Sequence, residues 1–263
     1  MPADLAALLA DLDAETAALR TIVDPLSDSD WQLATPAPGW NVGDQIAHLA
    51  YFDDAAVTAA TRPDEFAAIV ASFAGGENPD TIAARCRQLA TGQLRDWFNG
   101  ARARLLTAFA GLDPSVRVPW FGPPMSVASS VTARLMETWA HGQDIADTIG
   151  IAREPTARLR HVAHIGVAAR PYSYAAHGLP VPDEPVRVEL TAPSGELWTW
   201  GSAGARDRIT GPALDFCLLV TRRRHRADTA MVAAGPVADQ WLSIAQSFAG
   251  PAGAGRVPGQ FAR

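Results

Sequence analysis

Apolar positions recur in steps of three and four through most of the first 150 residues, the mark of amphipathic helices. Over residues 3–23, Leu5, Leu8, Leu9, Leu12, Leu19, Ile22 and Val23 alternate with Asp and Glu, which predicts a first helix closed by Pro25 and the SDSD run. WQLATPAPGW, residues 31–40, holds two prolines and a glycine and predicts an extended loop. Asn41 is a good N-cap, and Asp44 at the third helical position suits the positive end of the helix dipole, so a second helix is predicted from Val42 to about residue 60. Pro63 opens a segment of unclear type that breaks at GGENP, residues 75–79. A third helix is predicted over about 80–110, burying Ile82, Leu89, Leu94, Trp97, Phe98, Leu105 and Phe109, with Gly92 and Gly100 as its weak points. Residues 111–125 hold four prolines and two glycines around Trp120 and Phe121, a loop able to roof a cavity. Ser126 or Ser129 then opens a fourth helix, SVTARLMETWAHGQDIADTIG, which Gly150 closes. Residues 155–176 predict a fifth.

After Gly178 the period changes to two. Val186–Leu190 alternates, and Leu197–Trp200 follows across a turn at Pro193–Gly195. A helix over 211–221, a short strand over 230–233 and a last helix over 237–248 complete the pattern. Residues from Gly250 onward read as a loose Gly- and Pro-rich tail. The expected class is therefore α+β: a helical bundle over residues 1–178, a small α+β domain over 179–250 and a tail over 251–263. No internal repeat is visible.

Composition narrows the partners. At 48% hydrophobic and 19% charged, the 263 residues make a packed chain and not a disordered one. A net charge of −6 offers no attraction to nucleic acid or anionic membrane, despite the local RRRHR run at 222–226. Cys86 and Cys217 form no CxxC pair and sit in predicted helices as inert thiols, which fits a reducing compartment. Asp4, Asp11, Asp13 and Glu15 are unlike a secretory signal, and no run of about twenty apolar residues spans a membrane. A cytoplasmic monomer or homodimer acting on a small molecule is expected.

Glu137 and His141 stand four apart on the fourth helix, hence on one face about one turn apart. His48, mid-way along the second helix, is the best third donor. If the two helices pack side by side, His48, Glu137 and His141 make a three-ligand site with one position open for water or substrate. Such a set accepts zinc, nickel, iron or manganese, and affinity order alone does not choose among them. The plainer reading makes His48 a core histidine and Glu137 the ion-pair partner of Arg134. Burying Glu137 unpaired beside Met136 and Trp139 would be costly, and ligation relieves that cost.

The stretches TPAPGWNVGDQIAHL (35–49) and METWAHGQDIAD (136–147) resemble the DinB-like metal-binding bundles, and more closely the mycothiol-dependent maleylpyruvate isomerase family. DRITGPALDFCLLVTRRR (207–224) resembles that family's small C-terminal domain, which is itself similar to sterol-carrier proteins. HVAHIGVAARPYSYAAHGLPVPDEPVRVELTAPSG (161–195) resembles an uncharacterised actinobacterial subgroup. The resemblance implies an antiparallel four-helix bundle, a divalent metal on His48, Glu137 and His141, mycothiol as thiol cofactor, and a catalytic arginine at Arg222 that holds a carboxylate. Arg223 competes for that alignment. Thiolate addition to a cis enoyl acid, bond rotation and elimination would give isomerisation; attack on another electrophile would give thiol transfer. The alternatives are a thiol-independent metal hydrolase, lyase or cyclase of secondary metabolism, and a non-catalytic metal-binding protein. Further expectations are Asp144 orienting a ligand imidazole, Trp120 and Phe121 at a pocket mouth, Trp40 as a packing anchor, and His161 and His164 as pocket wall or ordinary surface.

Overall fold

The computed structural model describes residues 4–261 and divides the chain into two compact units, one ending at Ala152 and the other beginning at Arg153. The boundary falls earlier than residue 178 because the helices between these points pack within the second unit.

The first unit contains α1 (Leu5–Val23), α2 (Val42–Thr61), α3 (Pro63–Ala74), α4 (Pro79–Cys86), α5 (Thr91–Ala110), β1 (Arg117–Val118), β2 (Met125–Ser126) and α6 (Val127–Ile149). The long helices α1, α2, α5 and α6 pack against one another. Leu19, Val42, Ile46, Leu49, Phe98 and Ile145 meet in their core around the fully buried Trp31. Burying each such aliphatic side chain contributes about 1.5–3 kcal/mol, so these contacts and not intrinsic propensity fix the helices.

Local signals set the registers that matter. Asn41 caps α2 as expected, and Asp44 does more than suit the dipole: the two form a reciprocal capping box. The Asp44 carboxylate also binds Arg87 at 2.7 Å, and Arg87 donates to the Gly39 carbonyl at 2.6 Å. That tie pins the break where one helix was expected over 80–110. The chain turns after Cys86, and α5 starts afresh with the Gln93 side chain accepting from Ala90 N–H. The unclear segment after Pro63 is helix α3, with the proline in its first turn, where a missing N–H costs nothing. Ser126, not Ser129, caps α6, and Gly150 ends it at φ 70°.

The second unit holds α7 (Leu159–Ala168), α8 (Arg170–Ala176), β3 (Val186–Thr191), β4 (Leu197–Trp200), β5 (Asp207–Pro212), α9 (Ala213–Val220), β6 (Val232–Ala234) and α10 (Pro236–Ile244). The helix expected over 155–176 is split at Ala169, because Pro171 cannot continue the hydrogen-bond ladder. The sheet order is β4-β3-β5-β6, with β3 and β5 parallel and the other pairs antiparallel. Val186, Val188 and Leu190 alternate inward, and α9 packs on β3 and β5. Asp207 accepts the N–H groups of Val237 and Ala238 and so caps α10. The tail expected to be loose is tied down: Gly250 exchanges hydrogen bonds with the Tyr172 hydroxyl, and Gly259 N–H binds Asp228.

Gly166 permits the close approach of α7 and α9, since a Cβ there would lie 2.7 Å from Val220 Cγ2 and 3.1 Å from Phe216 Cε1. Gly166→Ala is therefore expected to destabilise this unit by about 1–3 kcal/mol through overpacking, read by thermal unfolding. An unchanged midpoint would show that the two helices give way without cost.

Candidate metal centre

Helices α2 and α6 pack side by side and bring His48, Glu137 and His141 together. One donor atom from each lies within 4.8 Å of the other two. His141 Nε2 is 3.1 Å and His48 Nε2 3.5 Å from the same oxygen, Glu137 Oε2. The imidazole rings are 4.4 Å apart. Side-chain exposures of 12%, 17% and 10% for His48, Glu137 and His141 leave the cluster mostly dry but reachable.

The hydrogen bonds around His141 fix which nitrogen faces the cluster. The Thr35 hydroxyl donates to the Trp40 carbonyl at 2.9 Å and accepts from the Gln45 amide nitrogen at 2.8 Å. The Gln45 oxygen is thereby turned to His141 Nδ1 and accepts a hydrogen bond from its N–H. With Nδ1–H given to Gln45, His141 turns Nε2 to a carboxylate oxygen 3.1 Å away, as an N–H donor in the imidazolium or as a lone pair in the neutral ring. Two acceptors at that distance require a cation between them, a proton or a metal ion. An N,N,O donor set with its lone pairs converging fits a divalent ion, and Gln45 supplies the outer hydrogen bond that orients a ligand imidazole. Asp144, expected in that role, is fully buried in α6.

Trp40 stacks on His141 at 5.9 Å and 12°, lies 5.3 Å from His48, and is anchored by its Nε1 donating to Asp80 at 2.7 Å. Beyond the anchor predicted for it, Trp40 therefore walls the cluster. Phe52 packs on the other side of His48 at 4.6 Å and touches Trp120 and Phe121 of the proline-rich loop. His48 Nδ1 is buried without a hydrogen-bond partner.

Burial first, then the neighbouring His141 and Arg134 charges, pull His48 down to about 4, against only partial support from Glu137. Burial would raise Glu137, but hydrogen bonds from His141 and His48, then the charges of His141 and Arg134, hold it well below the usual carboxylate range. The linkage signs agree. Between about 6.5 and 4 the unfolded chain takes up a proton that folded His48 refuses, so stability present above pH 6.5 falls away as pH drops through 4. Glu137 adds a loss of the same sign at lower pH still. Metal-free protein is expected to lose up to about 3 kcal/mol from His48 over this window, measured by denaturant titration at a series of pH values. A flat profile would contradict a buried neutral imidazole.

The remaining nominated residues lie in the second unit. Arg222 follows α9 with φ 60°, and its guanidinium donates to Gln246 Oε1, the Ala252 carbonyl and the Gly253 carbonyl. Arg223 donates to the Thr221 carbonyl. His161 and His164 are on α7, and burial lowers His164. Among the described residues the His/Cys/Asp/Glu groups able to hold a metal reduce to His48, Glu137 and His141. Sequence reasoning missed Gln45, whose signal was its place three residues before His48 on the same helix face.

A helical unit whose paired helices converge two imidazoles and a carboxylate, followed by a small four-stranded α+β unit, defines the class of this protein. The chain belongs to the mycothiol maleylpyruvate isomerase N-terminal domain family, whose model matches residues 12–146 and so spans all three side chains. A second family model, described as wyosine base formation, matches residues 182–234. Uncharacterized proteins from two strains of Mycobacterium tuberculosis are 44% identical over 258 residues, covering 97% of this chain and 100% of theirs. The crystal structure of the mycothiol-dependent maleylpyruvate isomerase is similar at TM-score 0.60 with 17% identity, covering 88% of this chain and 93% of that one. A histidine-to-alanine mutant of that isomerase gives 0.59 and 18% with the same coverage. At such identity the likeness establishes the α+β fold. No helix among the described residues is long and apolar enough to cross a membrane.

Proposed function

We propose that this protein is a divalent-metal enzyme of the thiol-linked isomerase or thiol-transferase type, acting on a small electrophilic organic acid. The observation that carries the reading is the convergence of His48 Nε2, His141 Nε2 and Glu137 Oε2. Those three side chains would hold the ion, zinc by preference, and mycothiol is the thiol that the family's description names. A bound ion would supply Lewis acidity and lower the pKa of a thiol or water at its open position toward neutrality.

The chain's own residues do the rest. Gln45 holds His141 in one tautomer, and Trp40 and Phe52 clamp the two imidazoles between aromatic faces. Together with the burial of the cluster they keep bulk water from competing for the site. Arg222 remains the residue nominated for a substrate carboxylate. To serve, its guanidinium must exchange the Ala252 and Gly253 carbonyls for the anion, a favourable trade of neutral acceptors for a charged one. The wyosine description stays with the second unit's fold, since residues 182–234 include none of the three donors.

Gln45→Leu is expected to weaken metal binding by about 10–100-fold without unfolding the protein, as measured by competition with a chelating dye. Equal affinity would remove Gln45 from the site. The function itself is tested by offering zinc-loaded protein mycothiol with a panel of cis enoyl acids. Turnover that needs both metal and thiol is the expected result. Metal-dependent turnover that ignores the thiol would favour a hydrolase, lyase or cyclase, and metal binding with no turnover a non-catalytic protein.

A further inference from the structure

Arg134 stands one helical turn before Glu137 on α6 and is 4% exposed. Its Nη1 is buried without a hydrogen-bond partner and faces Asp53 Oδ1 across 3.9 Å, beyond hydrogen-bond reach. Asp53 Oδ1 is likewise buried without a hydrogen-bond partner, so the two groups attract across a gap that leaves each one hydrogen bond short. Asp53 Oδ2 takes Arg102 Nε at 2.7 Å, and Arg102 spends its other donors on Thr16 and Thr138. Arg134 Nη1 thus keeps an unused donor beside the group. Its guanidinium lies over the rings of Phe52 and Trp120 at 5.8 and 5.9 Å, and Phe52 in turn lies against His48. Aromatic faces support a guanidinium while leaving its N–H edge free for a planar anion.

The charge balance points the same way. Glu137 attracts Arg134, and Asp53 pairs with Arg102. A divalent ion on Glu137 would add positive charge beside Arg134 in a mostly dry site. That favours a ligand carrying negative charge, and a carboxylate can take the Nη1 donor that Arg134 leaves unpaired.

We propose that Arg134 is an anion-docking residue beside the metal cluster, and that it selects substrates bearing a carboxylate. The proposal rests on the metal-site reading above and adds to it a binding residue on the same helix as two of the ligands. It is tested by calorimetric titration of maleate, with uncharged dimethyl maleate as control, into wild type, Arg134→Lys and Arg134→Gln, each zinc-loaded and metal-free. Zinc-loaded wild type should bind maleate and not the diester. Arg134→Gln should bind maleate about 30-fold or more weakly, with zinc content and helical signal unchanged. Arg134→Lys, which keeps the charge but loses the fork, should fall between them.

Equal maleate affinity in wild type and Arg134→Gln overturns the proposal, as does a stability loss in Arg134→Gln with affinity intact, which would show that Arg134 serves Asp53 alone. No maleate binding by wild type with or without zinc also overturns it. Should Arg134→Gln fail to fold, Arg134→Lys decides, and affinity equal to wild type overturns the proposal. Failure of wild type to take up zinc would contradict the metal site instead, and the metal-free titrations would still compare arginine with its replacements.

Discussion

Glu137→Gln and His48→Ala are each expected to lower zinc affinity at least about 100-fold while leaving most of the helical signal in place. Losing only an outer-shell partner of a metal ligand costs about 10–100-fold, so losing a direct donor costs no less. The fold should survive because the cluster sits at 10–17% side-chain exposure, whereas the bundle core runs through Leu49, Ile46, Phe98 and Ile145. Glu137→Gln is the cleaner variant. It keeps the shape and one acceptor oxygen, and it removes the charge that balances Arg134 and the ion. Equilibrium dialysis with zinc, read beside circular dichroism, checks both halves of the expectation. Undiminished affinity in either variant would mean that the convergence of the side chains is incidental.

Arg102→Ala is expected to produce the largest loss of stability, about 3–5 kcal/mol. Arg102 and Asp53 are 1% and 0% exposed as side chains and form a 2.7 Å ion pair in the bundle interior. The same guanidinium donates to Thr16 on α1 and Thr138 on α6 and lies over Phe98 at 5.4 Å. One side chain of α5 thus ties together the helix of His48 and the helix of Glu137 and His141. Truncation leaves the Asp53 carboxylate buried beside Arg134, which stands too far off to replace the lost hydrogen bond. Denaturant unfolding measures the loss, and the double variant Arg102→Met with Asp53→Leu should recover much of it. A single-variant loss below about 1 kcal/mol would mean that water reaches Asp53.

The elements that sequence periodicity made legible are those whose side chains report their own environment. Helices α1, α2 and α6 carry long apolar stripes and unambiguous caps at Asn41 and Gly150, and the parts of the cluster lie on two of them. The i, i+4 spacing of Glu137 and His141 was readable as a shared face; the approach of His48 followed only if the helices were adjacent. What could not be read was carried by partners distant in sequence. The break after Cys86 is held by Arg87 reaching back to Asp44 and Gly39. Strand β5 is DRITGP, with little β-branched signal of its own, and pairs in parallel with β3 through its backbone. The unit boundary was misplaced because α7 is amphipathic like the bundle helices, and nothing in its sequence says that its apolar face meets α9. Gln45 and Arg134 were ordinary polar residues on helices until the fold placed one against His141 and the other beside Phe52.

We propose that His48, Glu137 and His141 hold one divalent ion. Crystals grown with zinc and measured on both sides of its absorption edge test it most directly. One strong anomalous peak per chain is expected, within about 2.0–2.2 Å of both Nε2 atoms and the Glu137 carboxylate. Diffraction from zinc-soaked crystals with no peak at these three side chains would contradict it.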